Sequence, residues 1–190
     1  MGRRRTVDRE QLLDAAETII ETSGAAGLTI DAVAKAAGIT KGGVQYCFGN
    51  KDALIDALFE RWGAAYDRIF AQVAGPEGNP LDKVRAHVAA TRPSDEASAK
   101  SASLLAALAQ TPEHLASTRA WYRERIAGLD LATDAGRRAR LAFLATEGAF
   151  MLRFFGFMDI DQAEWDAMLE DVQSLLDGPA GATAPSRPSP

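Results

Sequence analysis

The sequence predicts an all-α protein, with an N-terminal helix-turn-helix unit of three helices followed by a helical bundle, about nine helices in all. Three observations carry this. No stretch alternates apolar and polar residues with period two, whereas apolar residues recur at three- and four-residue spacing along the chain. Thr, Asn, Gly and Pro fall where those runs begin and end. The apolar fraction of 47% is that of a chain that buries a core, and no apolar run is long enough to cross a bilayer.

The first helix, 7–23, puts Leu12, Ala16, Ile19 and Ile20 on one face, has Asp8 and Glu10 in its first turn, and stops at Gly24. Thr29 is placed to cap a second helix, "IDAVAKAA", which ends at Gly38. Thr40 caps a short third helix, "KGGVQYCF", and Asn50 caps a long fourth that runs from Lys51 to about Ala74. On the fourth, Leu54, Leu58, Trp62, Ala65 and Ile69 form one stripe and Phe59, Tyr66 and Phe70 a second. "GPEGNP" at 75–80 is a break. Later helices are predicted at 81–92, 96–110, 113–129, 134–156 and 162–176. The predicted organisation is a DNA-binding unit at 1–50, a regulatory and dimerisation unit at 51–177, and a disordered Pro/Ala/Ser-rich tail at 178–190.

The third helix carries two adjacent glycines, Gly42 and Gly43. Each costs about 1 kcal/mol against Ala in a helix interior. Two short helices joined by a Gly-containing turn describe a helix-turn-helix, whose second helix enters the DNA major groove by its N-terminal end. Glycines there let the backbone approach phosphates or base edges. Thr40 offers a hydroxyl and helix N-terminal amides to a phosphate, and Lys41 adds charge. Gln45 is placed for a bidentate contact to adenine. Tyr46 and Lys51 are placed for phosphates, with Thr29 at the head of the preceding helix. Arg3, Arg4 and Arg5 form a basic arm for the backbone or minor groove. Charge agrees: residues 1–51 hold seven Lys/Arg against six Asp/Glu, on a chain of net charge −5. An acidic body leaves nucleic-acid binding to a local basic patch.

At this point a resemblance is specific. "LLDAAETIIETSGAAGLTIDAVAKAAGITKGGVQYCFGNKDALI", within residues 9–56, resembles the DNA-binding domain of the tetracycline-repressor (TetR) family of bacterial transcription regulators. Ala34, Ala37, Gly38, Thr40, Lys41, Gly42, Tyr46, Phe48, Lys51 and Leu54 carry most of it. The resemblance implies that Thr40, Tyr46 and Lys51 hold phosphates, with Gly42, Gly43 and Gln45 near the bases. It also implies a homodimer on double-stranded DNA with a palindromic operator, a second domain that binds a small inducer, and repression. Gln45 stands where the family often has Tyr or Leu, and Cys47 where it often has His.

In the second part, Trp62, Tyr66, Phe70, Leu104, Leu105, Leu108, Trp121, Tyr122, Phe143, Phe150, Met151 and Phe154 are apolar at helical spacing. Core packing accounts for most such residues, and a bundle of this size also has room for a pocket among its helices. Glu147 lies inside the apolar run "LAFLATEGAFMLRFFGF" and needs a partner, Arg140 or Arg153 for example, or serves as the polar anchor of a ligand site. A small, largely apolar inducer against Trp62, Tyr66 and Leu105 is expected to tilt the long fourth helix. The last two helices are the predicted dimer interface, through Leu141, Leu144, Phe155, Trp165, Met168, Leu169, Val172 and Leu176. Regulation by a protein partner, and a helical binding protein with no regulatory DNA site, are the competing readings.

No catalytic residue, cofactor or metal is expected. His87 and His114 lack ligand-spaced neighbours, and no nucleophile elbow, phosphate loop or dinucleotide fingerprint occurs. The one cysteine, Cys47, reads as a small half-buried hydrophobe in a reducing compartment. With no apolar run behind the N-terminal arginines, the expected location is the cytoplasm, away from membranes.

Overall fold

The computed structural model describes residues 8–93, 96–109 and 114–178. The arginines of the predicted basic arm and residues 179–190 of the predicted tail lie outside them. Among the described residues the fold is nine α-helices and no strand. They are α1 (Arg9–Ser23), α2 (Ile30–Ala37), α3 (Lys41–Phe48), α4 (Lys51–Ala74), α5 (Pro80–Thr91), α6 (Glu96–Leu108), α7 (Ala116–Arg125), α8 (Asp134–Phe154) and α9 (Gln162–Asp177). No helix among the described residues is long and apolar enough to cross a membrane.

Local chemistry sets the starts. Thr29 accepts from the Ala32 amide at 3.0 Å, Thr40 from Gly43 at 3.2 Å and Asn50 from Ala53 at 2.9 Å. Each such cap is worth about 1 kcal/mol. Asp8 is itself the cap of α1, accepting from Glu10, rather than a first-turn residue. Asn79 and Asp82 form a reciprocal capping box around Pro80 at the start of α5. Gly38 closes α2 with φ +66° and ψ +33°, a left-handed conformation that only glycine adopts at little cost, and so sets the angle to α3.

Leu12, Leu13, Ala16 and Ile20 of α1 pack with Val33, Ala34, Val44 and Phe48 of α2 and α3. That core does not close at residue 50. Leu54, Ile55, Leu58 and Trp62 of α4 complete it, together with Leu104 and Leu108 of α6. The first three helices are too small to bury their own apolar faces, so the second part supplies the floor. A second core joins Val84 and Val88 of α5, Ala139, Ala142 and Phe143 of α8, and Val172 and Leu176 of α9. A third gathers Ile160, Trp165 and Leu169 against Phe150 and Phe154.

Four of the residues predicted for the dimer face lie inward on α9. Trp165, Leu169, Val172 and Leu176 are all buried within the single chain. They form one stripe, and α9 spends it on α5 and α8; Trp165 also donates its indole N–H to the Arg92 carbonyl at 2.8 Å. Met168 is half-buried beside that third core. The apolar face left open belongs to α8. Leu141 (53% exposed), Leu144 (56%), Met151 and Leu152 follow one another at helical spacing, with Gly148 between them and Phe155 at the end.

Candidate functional site

Two sites emerge, and α4 touches both. The first is the outer surface of α3. Gln45 and Tyr46 project from it, Tyr46 being 89% exposed, and Thr29, Thr40 and Lys41 are exposed beside them. Lys51 is half-buried at the head of α4. Lys41 Nζ lies 3.1 Å from Asp31 Oδ2, an exposed pair that an incoming phosphate has to outcompete. A methyl group added at Gly42 would meet nothing nearer than Thr40 Oγ1 at 4.0 Å. No packing within the chain therefore demands glycine there. Cys47, half-buried, packs against the N-terminal core.

The second site is a cavity of about 410 Å³ among α4, α5, α6, α7 and α8, within the size range of small-molecule pockets. Of the predicted residues, Trp62, Tyr66, Leu105, Trp121, Glu147 and Phe150 line it. Phe70, Leu104, Leu108, Phe143 and Met151 do not. Leu104 and Leu108 sit in the N-terminal core, on a different face of α6 from Leu105. Phe70 stacks on Tyr66 with centroids 5.9 Å apart, and Phe143 packs behind His87 at 5.0 Å. Met151 lies on the outer face of α8.

One wall of the cavity is a polar chain that single-residue reading missed. Arg125 Nε donates to Tyr66 Oη at 3.1 Å, and Tyr66 Oη lies 2.8 Å from His87 Nδ1. The guanidinium only donates, so Tyr66 Oη accepts from it, while the Tyr66–His87 bond runs in the direction that the imidazole tautomer sets; the other ring nitrogen is Nε2. That nitrogen lies 2.9 Å from Glu147 Oε1, though out of line for a good hydrogen bond. Tyr122 hydrogen-bonds the same carboxylate. Burial pushes both phenols well above their usual range; Arg125 partly offsets this for Tyr66, while Glu147 adds to it for Tyr122. Both hydroxyls therefore keep their protons. Arg125 is buried, with its guanidinium 4.3 Å from the ring centroids of both Phe70 and Trp121. Glu147 thus meets His87 rather than the expected Arg140 or Arg153. A signal for His87 was available: Val84, His87, Val88 and Thr91 share one helical face, which marks the histidine as inward. Nothing local marks Arg125. Among the described residues no cluster could hold a metal ion.

The two sites meet at Trp62. Its ring lines the cavity, and its Nε1–H donates to Glu17 Oε1 of α1 at 2.9 Å. Lys100 of α6 reaches Glu17 at 2.9 Å, and Arg61 lies 3.4 Å from Glu17 and 2.6 Å from Asp14. Burial alone would raise the Glu17 pKa, but the hydrogen bonds from Lys100 and Trp62, with the Lys100 and Arg61 charges, hold it below the usual range.

An exposed reading helix over a small core, joined by one long helix to a hollow all-helical unit, defines a helix-turn-helix protein with an appended helical domain. Residues 12–58 match the family described as bacterial regulatory proteins, tetR family, and residues 81–177 match the tetracyclin repressor-like C-terminal domain. The chain belongs to the tetracycline-repressor family. It is similar to an HTH-type transcriptional regulator BetI from Paraburkholderia phymatum, 40% identical over 91 residues that cover 45% of this chain and 44% of the relative. It thus spans about half the length of the curated relatives it matches. In fold it is similar to SmeT in its triclosan complex (22% identity, TM-score 0.62, covering 86% of this chain and 88% of that one). It is also similar in fold to the multidrug binding protein EbrR complexed with imidazole (20% identity, TM-score 0.59, covering 92% and 97%).

Proposed function

We propose that the protein is a ligand-responsive transcription regulator, a homodimer that holds a palindromic operator with α3 and leaves it when a small, largely apolar molecule fills the cavity. The observation that carries this reading is Trp62, a wall of the cavity on one side and a hydrogen-bond donor to α1 on the other. A ligand that moves the indole pulls on Glu17, and through it on the unit that carries α3. Differential binding of about 1–3 kcal/mol between the two shapes suffices for several-fold to hundred-fold release. The open cavity favours a small effector over a protein partner.

Gly42 supports the DNA reading, because the space beside it is open and the chain gains nothing from it internally. Thr40, Tyr46 and Lys51 take phosphates, Gln45 takes a base, and Arg3, Arg4 and Arg5 extend the contact. Dimerisation runs through the open face of α8, with Leu141 and Leu144 at its centre, Gly148 admitting a close approach, and Met151 and Phe155 at its end. Two-fold symmetry then sets half-sites about 34–36 Å apart, or a multiple.

Selection of duplex DNA from a random pool by the purified chain at near-physiological salt tests this. An enriched palindrome is expected, with Gln45→Ala relaxing one base position and Lys51→Ala weakening all sites alike. No enrichment, with no binding at low salt either, rejects the reading.

A further inference from the structure

We infer that the occupant of the cavity is an organic cation, a protonated or quaternary amine carried on a compact aromatic or aliphatic body. This rests on the cavity being a ligand site, and goes on to say which charge it accepts.

The lining is electrically one-sided. Asp56, Glu60, Asp67 and Glu147 contribute carboxylates, against the guanidinium of Arg125 and the imidazole of His87; Glu60, at the rim, also lies 3.6 Å from Arg9. The Arg125 guanidinium is already occupied. It stacks on Phe70 and Trp121 and spends Nε on Tyr66, so the protein itself supplies the π-faces and the acceptor that a cation of this kind needs. Glu147 is the opposite case. Its side chain is only 13% exposed, and among the described residues the one titratable nitrogen within 4.0 Å is His87 Nε2. That nitrogen makes no in-line hydrogen bond to the carboxylate. The Tyr122 hydroxyl is a neutral donor. Glu147 is therefore a secluded acid with no lysine or arginine nitrogen within 4.0 Å among the described residues, and a secluded charge is best satisfied by an opposite one.

The walls add to this. Trp62, Tyr66, Trp121, Tyr122 and Phe150 surround the same space, and the negative faces of aromatic rings attract cations, more strongly when water is excluded. Asp56, bonded to Ser117 at 2.6 Å, and exposed Asp67 place further negative charge on the α4 side. A cleft lined by one sign of charge raises the local concentration of the opposite sign.

The test uses the full chain without DNA, at 0.15 M salt and pH 7, and three probes with the same three-ring body: cationic 9-aminoacridine, neutral 9-anthracenemethanol and anionic anthracene-9-carboxylate. Titration calorimetry is expected to rank the cation at least tenfold above the neutral probe, with the anion weakest. Glu147→Gln is expected to weaken the cation about tenfold and leave the neutral probe within twofold, with the thermal melt confirming a folded variant. Should that variant not fold, the exposed Asp67→Asn is expected to weaken the cation about threefold, and unchanged affinity there overturns the inference. Equal or better binding of the neutral or anionic probe, or a folded Glu147→Gln variant that binds the cation as the parent does, overturns the charge class and leaves the ligand site standing. If no probe binds, the ligand site and its charge class fall together.

Discussion

The reading surface and the cavity are built in opposite ways. The surface lies within one short stretch, from Thr29 to Lys51, and backbone caps at Thr29, Thr40 and Asn50 fix its geometry. Its side chains point outward and touch little of the protein. The cavity draws on five helices, and each of its polar groups is placed by a residue distant in sequence: Tyr66 by Arg125, His87 by Tyr66, Glu147 by His87. A local site tolerates substitution without unfolding, because it contributes little to the core. A convergent site does not. Trp62 joins the cavity to the core beneath the reading surface, so it gives the sharpest test of the contrast.

Trp62→Ala is expected to have the largest effect. It removes a buried indole shared by the N-terminal core and the cavity, at a cost of about 3–5 kcal/mol by urea denaturation. Trp62→Phe keeps most of the ring and loses only the bond to Glu17. It is expected to fold, to bind operator, and to respond more weakly to whatever fills the cavity. If Trp62→Phe releases DNA at the same ligand concentration as the parent, the link through α1 is wrong.

Next comes the α8 face. Leu141 and Leu144 are more than half exposed in the single chain, so replacing both with Glu removes nothing from its core. The expected loss is at the dimer, about 2 kcal/mol or more for buried apolar anchors in an interface. Sedimentation velocity should show a folded monomer with an unchanged far-UV spectrum. A dimer that survives both charges would move the interface elsewhere.

The two designs also differ in how far the sequence reveals them. The helix-turn-helix was legible because capping, helical spacing and the Gly38 turn act between near neighbours. The cavity was legible only by residue type. Trp62, Tyr66 and Glu147 were recognisable as inward or conspicuous, but Leu104 and Leu105 differ by one residue, and one faces the N-terminal core while the other faces the cavity. A rotation of about 100° per residue separates them, and only tertiary packing fixes it. The stripe on α9 poses the same problem: four apolar residues at helical spacing announce a buried face without saying whether the cover is another helix of the chain or a second chain. On α8 the answer needs two faces, an inner one of Ala139, Ala142, Phe143 and Thr146 and an outer one of Leu141 and Leu144. A helix apolar on both sides is the better sign of an interface.

Gly42→Ala probes the local site with opposed signs. The added methyl meets open space in the protein, so stability is expected to hold or rise, by up to about 1 kcal/mol. Operator affinity is expected to fall about tenfold, or about 1.4 kcal/mol, because the methyl group stands between backbone and DNA. Thermal melts and fluorescence anisotropy on one preparation settle both signs. A fall in stability with unchanged affinity would make Gly42 a structural glycine after all.

The smallest expected effect lies at the junction itself. Glu17→Gln keeps an oxygen to accept from Trp62 and removes only the charge that faces Lys100 and Arg61. At pH 7 the cost is expected to be about 1 kcal/mol or less, as for partly solvated ion pairs. Its pH dependence is more telling. The native glutamate titrates below its unfolded value of about 4.3. Its contribution is therefore complete above that value and disappears as pH falls through the lower, native one. Urea melts at pH 7, 5 and 3 should show parent and variant differing by the same gap at the first two and by a smaller gap at the third. A gap that stays constant across the three would mean that Glu17 contributes as a hydrogen-bond acceptor alone, and that α1 is held to the cavity wall by the indole bond without help from charge.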